Sequence, residues 1–361
     1  MKRDYENGMT AQLAIHRRDG GFSDRWIAYC ELNSIRYKVV NCLDSSIIKE
    51  LSSSDALLWH WYHADAREQL TARSVIKAAE AMGVKVFPST PSCWHFDDKI
   101  AQKYLLEAIG APLVPTYVFY DLKDALLWID RALFPKVFKL RRGAGSNNVK
   151  LARSAAEARA LAERAFSSGF SPVPHYGRDA LKRYRVAKRR GDLLNAVKRI
   201  PETLATILDR RKMMGREKGY VYFQDFIPGN DFDTRVTVIG DRAFAYTRNV
   251  RPGDFRASGS GDVVYETERV NKKCVEIAFN VTRKIGSQSM AFDFVLGEQQ
   301  QPFILEVSYC YIPHLVESCP GYWDSRMNWH QGHIWPQDAI LIDLLNDLLQ
   351  SKEKGWPACI P

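Results

Sequence analysis

Along the first hundred residues, short apolar runs alternate with stretches whose apolar positions recur every three or four residues. Ala11–Ile15, Tyr37–Val40, Ala56–Trp61 and Val84–Phe87 read as strands, and Asp24–Leu32 and Arg67–Met82 as helices between them. Strands joined by helices of this length are expected to pair in parallel, which predicts a small open α/β lobe over residues 1–95. Trp59, Trp61 and Tyr62 fall near a strand end, where such sheets place ligands, although an aromatic core wall is the first reading.

The texture changes at Phe96. Asp97 and Asp98 can cap a helix from Lys99 to Ile109, which Gly110 ends and Pro112 and Pro115 keep from continuing. A strand (Thr116–Tyr120), a helix (Leu122–Arg131), a strand (Lys136–Leu140), a glycine-rich turn (Arg142–Asn148), a strand (Val149–Ala152) and a helix (Ser154–Ala165) follow. Residues 167–219 are strongly basic and read as an inserted helical arm within a central lobe over 96–222. The arm is either a solvated surface or a clamp for an anionic acceptor or a membrane surface. The last lobe, 223–361, reads as a mostly antiparallel sheet built from Val221–Phe226, Arg235–Ile239, Arg242–Arg248, Ala291–Leu296 and Phe303–Val307. Pro336–Gln350 is amphipathic and is expected to pack on the outside.

At 361 residues with 46% hydrophobic and 26% charged positions, the chain can bury ordinary cores, which argues against general disorder. Its formal net charge of +9 favours anionic partners without naming one. Seven scattered cysteines contain no Cys-x-x-Cys pair, so neither a zinc ribbon nor a redox motif is indicated and a reduced cytoplasmic protein is expected. Met1–Asp19 lacks the apolar centre of a signal peptide, and no uncharged apolar run is long enough for a bilayer.

Four segments carry chemistry. Lys139 ends an apolar strand and precedes a loop with Gly143, Gly145 and Ser146, whose amides could point at phosphate oxygens; a plain hairpin turn is equally weighted. Gln224, Asp225, Phe226 and Ile227 lead into a Pro-Gly turn, after which Asp233 and Arg235 alternate onto one strand face. A carboxylate there can hold ribose hydroxyls and an arginine can grip an oxyanion, the alternative being a surface ion pair. Arg248, Arg251 and Arg256 flank a small-residue loop containing Ser258, where arginine can neutralise a transferring phosphoryl group. Asp293 and Glu306 each sit in an apolar strand with a hairpin around Gly297 between them. Facing carboxylates in such surroundings favour a magnesium ion.

In this order the segments resemble the ATP-grasp superfamily, closest to its RimK-type ligase branch, over roughly residues 96–312. The resemblance implies two α+β lobes enclosing ATP behind the parallel-sheet lobe, with magnesium, or manganese as an alternative. It assigns Lys99 and Lys139 to the phosphates, Gln224 to Ile227 to the adenine and Asp233 to the ribose. Arg256, within an intact Gly253-Asp-Phe-Arg256 segment, would meet the terminal phosphates, and Asp293, Glu306 and Ser308 would form the metal set. Ser308 and Ser258 stand where asparagine is usual, which weakens a second metal position.

The implied reaction activates a carboxylate as an acyl phosphate and joins it to an amine, with Arg235 and Arg248 as candidate grips on the carboxylate. Tyr309–His314 and the stretch from Cys319 through Trp329 to His330 are either an acceptor pocket or C-terminal packing. An acidic saccharide donor of surface-polysaccharide assembly is the preferred substrate by analogy, with a free amino acid or peptide as the alternative. A homo-oligomer with no nucleic-acid partner is expected. A non-catalytic polyanion- or membrane-binding protein is the reading from another class.

Overall fold

The computed structural model describes residues 11–143, 148–171, 215–251, 253–257 and 261–353. Its first part runs β1 (Leu13–His16), α1 (Phe22–Leu32), β2 (Tyr37–Val40), α2 (Ile47–Leu51), β3 (Ala56–Leu58), α3 (Ala66–Ala81), β4 (Lys85–Phe87) and α4 (Thr90–Cys93). The strands pair in parallel in the order β2-β1-β3-β4, as the alternation of elements predicts. Leu13, Ala14 and Ile15 and then Ala56, Leu57 and Leu58 are all buried, because both sheet faces are covered. The third strand is shorter than expected. Beyond Leu58 the chain leaves the ladder, and Trp59 and Trp61 are fully buried core residues.

The central part comprises α5 (Lys99–Ala108), β5 (Thr116–Phe119), α6 (Leu122–Ile129), β6 (Lys136–Lys139), β7 (Lys150–Ala152), α7 (Ala155–Phe166) and β8 (Val221–Asp225). Asp98 caps α5 by accepting from the amides of Ile100 and Ala101, and Asp121 caps α6 in the same way. The sheet is antiparallel with order β5-β8-β6-β7, so β8 lies between β5 and β6 and the expected division at 222/223 passes through a strand. Phe170 and Glu217 exchange backbone hydrogen bonds at 2.9 Å, which brings the two ends of the basic stretch together. The arm expected between them lies outside the described residues.

The last part holds β9 (Phe232–Ile239), β10 (Arg242–Asn249), β11 (Val263–Val264), α8 (Lys272–Ile285), β12 (Ser289–Leu296), β13 (Pro302–Ser308), α9 (Pro313–Glu317), β14 (Gly321–Asp324), β15 (Trp329–Gln331) and α10 (Pro336–Glu353). Its sheet is antiparallel, ordered β13-β12-β9-β10-β14-β15, with β11 on β10. Helix α8 is absent from the sequence reading. Its buried positions Cys274, Val275, Ala278, Phe279 and Thr282 recur at helical spacing, and Gly286 ends it at φ +72°.

Helix α10 does not pack on the outside. Leu341, Leu344, Leu345 and Leu348 are buried in one core with Trp26, Phe87, Phe244 and Tyr246, drawn from the first and last parts of the chain. Trp26 Nε1 donates to the Gln337 carbonyl at 3.0 Å, and Arg25 forks onto Asp338. The helix therefore ties the parallel sheet to the antiparallel one, and both are held around the site.

Candidate active site

A cavity of about 290 Å³ opens where the central and last sheets face each other. Lys99, Lys139, Arg256, Asp293 and Glu306 all line it, as do Gly143, Gln224, Asp225, Phe226, Ile227 and Asp233. The elements set these positions locally. Lys99 opens α5 and donates from Nζ to the Gly143 carbonyl at 2.8 Å, with Glu306 Oε1 at 3.1 Å. Burial would lower the Lys99 ammonium, but Glu306 and Asp97 hold it above its ordinary value. Gly143 also receives support from below, its amide donating to Asp97 Oδ1 at 2.8 Å.

Lys139 closes β6 and donates to Gln224 Oε1 at 2.5 Å, while the Gln224 amide nitrogen donates to Thr116 Oγ1 on β5. Burial pushes the Lys139 ammonium down to about 8, opposed by Glu306 and reinforced by Lys99. Two ammonium groups so placed offer charge to an entering polyphosphate. Asp225 is engaged differently, accepting from Lys136 across the β6–β8 ladder. The turn after β8 is fixed by Asn230, whose side chain donates to and accepts from the backbone of Leu296 at 2.9 and 2.8 Å. Asn230 was not foreseen. Nor were Val137, Val295 and Leu305, which line the cavity but carry no sequence signal separating them from core.

The acidic side is organised by a ladder of opposite charges over three adjacent strands. Arg248 on β10 forks onto Asp233 on β9 at 2.7 and 2.6 Å, and Arg235 on β9 forks onto Asp293 on β12 at 2.6 and 2.7 Å. Arg248 also reaches Asp293 Oδ1 at 2.9 Å. Burial alone would push the Asp293 carboxyl up; Arg235 and Arg248 outweigh it and hold Asp293 well below the ordinary carboxylate range. The two arginines expected to grip a substrate carboxylate are thus bound to the protein's own carboxylates, and neither lines the cavity. Asp233, expected on the ribose, already takes one guanidinium hydrogen bond on each oxygen.

Asp293 and Glu306 are direct partners across the β12–β13 ladder and both face the cavity. Ser308 does not join them: its hydroxyl donates to the Cys310 carbonyl at 2.9 Å and accepts from the Cys310 amide at 3.1 Å. Among the described residues no group of three or more His, Cys, Asp or Glu is placed to hold a metal ion. The pair suits one hard cation, with Glu306 a third exposed and Asp293 keeping lone pairs beyond its arginine bonds. Arg256 faces the same space but is drawn onto Asp254 through Nε and Nη2. Gly145, Ser146 and Ser258 lie outside the described residues.

The expected acceptor stretch is mixed: Tyr309, Tyr311, Cys319 and Trp323 are buried, whereas Ile312, His314, Trp329 and His330 are exposed. Tyr309 donates to the Trp61 carbonyl at 2.6 Å and Tyr311 pairs with Ser289, both tyrosines being buried. Asn328 and His330 both bond to Asp324 within the β14–β15 hairpin.

Lysines on one wall of this two-lobed cavity face a carboxylate pair on the other. Residues 201–311 match the family model described as RimK-like ATP-grasp domain. D-alanine–D-alanine ligase from Bacillus anthracis, solved with ATP, superposes with a TM-score of 0.55 at 12% identity, over 96% of this chain and 99% of that one. A D-cycloserine synthetase superposes at 0.55 and 16% identity, over 92% of this chain and 100% of its own. A RimK-domain ATP-grasp protein from Sphaerobacter thermophilus gives 0.51 at 15%, over 82% of this chain and 90% of that one. No curated protein sequence matches. The chain has the ATP-grasp fold, and its residues 201–311 are similar to a RimK-like ATP-grasp domain.

Proposed function

We propose that the chain is an ATP-dependent carboxylate–amine ligase, a reading carried by the convergence of Lys99, Lys139 and Arg256 with Asp293 and Glu306 on one cavity. A substrate carboxylate oxygen attacks the γ-phosphorus of ATP as the bond to ADP breaks, which leaves an acyl phosphate. An amine then attacks the activated carbonyl, inorganic phosphate departs and the nitrogen loses a proton. Neither step needs a protein nucleophile; positioning and charge neutralisation suffice.

Lys139 and Lys99 would neutralise phosphate charge from the first wall. Arg256 would do so from the second after exchanging Asp254 for phosphate. Glu306, with Asp293, would hold a magnesium ion, which when bound supplies further neutralisation of the phosphates. The charge ladder keeps Asp293 ionised and in place for this.

An acidic saccharide donor rests on analogy and on the basic stretch, most of which lies outside the described residues; of the aromatics that suggested it, Tyr309 and Tyr311 are buried while Trp329 stays exposed. A free amino acid or other small carboxylate is the simpler donor within the same chemistry. The test is a phosphate-release screen with magnesium and ATP, pairing amino acids and amines against amino acids, uronic acids and nucleotide-linked sugars. Activity that disappears in Lys139→Ala and Glu306→Gln supports the reading. Full activity in both variants, or failure of the wild-type chain to bind magnesium-ADP by calorimetry, overturns it.

A further inference from the structure

The two acidic residues ahead of α5 have separate roles. Asp98 alone caps the helix, accepting from the amides of Ile100 and Ala101. Asp97 accepts instead from the Gly143 amide through Oδ1 at 2.8 Å and from Gln69 Nε2, on α3, through Oδ2 at 3.1 Å. Capping therefore leaves Asp97 unexplained. It is 7% exposed, and its backbone stands at φ +54°, a left-handed conformation that a residue other than glycine keeps only when its surroundings hold it there.

The segment from Asp97 to Lys99 grips the chain leaving β6 at three points. The Lys99 amide donates to the Arg141 carbonyl at 3.0 Å, Lys99 Nζ donates to the Gly143 carbonyl at 2.8 Å, and Asp97 takes the Gly143 amide. Both backbone polar groups of Gly143 are thus committed to one short segment. Gly143 itself sits at φ +123°, where a side chain would be strained.

Asp97 does not line the nucleotide cavity, whereas Gly143 and Lys99 both do. Any effect on a bound nucleotide must pass through those two residues. Gln69 braces the far side of the carboxylate and also reaches the His63 carbonyl at 3.4 Å, so the parallel-sheet part of the chain is tied to the same wall.

We propose that Asp97 is a positioning residue for the polyphosphate: by holding the Gly143 amide, it fixes the carbonyl on which Lys99 Nζ rests and so sets that ammonium in the cavity wall. The assignment rests on the ligase reading, which supplies the polyphosphate. Groups that meet a ligand keep their geometry only when the residues behind them are themselves held.

Two variants separate position from bulk structure. Asp97→Gly removes the carboxylate without opposing the left-handed backbone, and Asp97→Asn keeps an acceptor oxygen for the Gly143 amide. Calorimetry on the full chain compares adenosine with the magnesium complex of the β,γ-imido analogue of ATP. Asp97→Gly should weaken triphosphate binding about tenfold, the scale of one hydrogen bond to a charged group, and leave adenosine binding within about twofold of wild type. Asp97→Asn should restore the triphosphate to within about threefold of wild type. Asp97→Ala takes the place of the glycine form should that fail to fold. Unchanged triphosphate binding without the carboxylate, equal losses for both ligands, or an asparagine form as weak as the glycine form overturns the assignment. Wild type that binds no triphosphate sinks the ligase reading and this role with it, whereas triphosphate binding indifferent to Asp97 sinks the role alone.

Discussion

Asp293 on β12 and Arg235 on β9 stand opposite each other in the sheet register and share two hydrogen bonds of 2.6 and 2.7 Å. The pairing sets the character of the acidic wall. A buried carboxylate next to a phosphate site would tend to take up a proton; one held by two guanidinium groups remains an anion. The same arginines limit how much further positive charge that carboxylate attracts.

Removing Asp293 would leave Arg235 and Arg248 facing each other with only Asp233 between them. Asp293→Ala should therefore lose about 3–5 kcal/mol of stability, the range for breaking a buried pair from one side. Urea unfolding would show it. The double variant Asp293→Ala with Arg235→Met should lose less than the sum of the two single changes. Additive losses would mean that the groups are not energetically coupled.

The Lys139 ammonium, at about 8, titrates close to neutrality. A bound polyphosphate favours its charged form and so raises its pKa in the complex. Affinity for magnesium-ADP should then be full below about pH 8 and fall as pH rises through the window between the free and bound pKa values, at most about tenfold per unit. Calorimetry at about pH 7 and about pH 9 should show the drop in wild type. Lys139→Met should bind more weakly with little slope. An equal slope in the variant would move the titration to another group.

Much of this arrangement is readable in the residues alone, and the failures have physical causes. Lys139, Asp293 and Glu306 are recognisable because a charged group in or at the end of an apolar strand demands a reason, whereas Lys99 and Gln224 are reached only through the family resemblance; all five line the cavity. Pairing is harder to read. Alternation along β9 places Asp233 and Arg235 on one face, but which carboxylate each arginine meets depends on the neighbours β10 and β12 and their register. Ser308 looks like a metal ligand by position, yet a hydroxyl two residues before the Cys310 amide can close a local turn instead. Helix α8 is masked by its lysines and arginines, and α10 looks like a surface helix until two sheets compete for its leucines.

The burial of α10 carries its own consequence. Leu345 is fully buried where the first and last sheets meet. Leu345→Ala should destabilise the chain by about 2–5 kcal/mol, as deletion of a core leucine does. Leu349, on the same helix but exposed, should tolerate the same change within about 0.5 kcal/mol. Matching small losses at both positions in urea unfolding would return the helix to the periphery.

The metal dependence separates Glu306 from Ser308. Glu306 faces the cavity and is balanced by Lys99 at 3.1 Å, so its charge is free to be shared with a cation. Ser308 spends both its donor and an acceptor on Cys310. Titrating magnesium into the chain with a fixed amount of ADP should thus show a steep gain in nucleotide affinity for wild type and for Ser308→Ala, the two curves agreeing within about twofold. Glu306→Gln should flatten the curve, because a neutral amide offers one oxygen and no charge while Lys99 loses its nearest carboxylate. If Ser308→Ala also flattened it, the hydroxyl would have to leave its turn to bind the ion, and the acidic wall would be a three-ligand set after all.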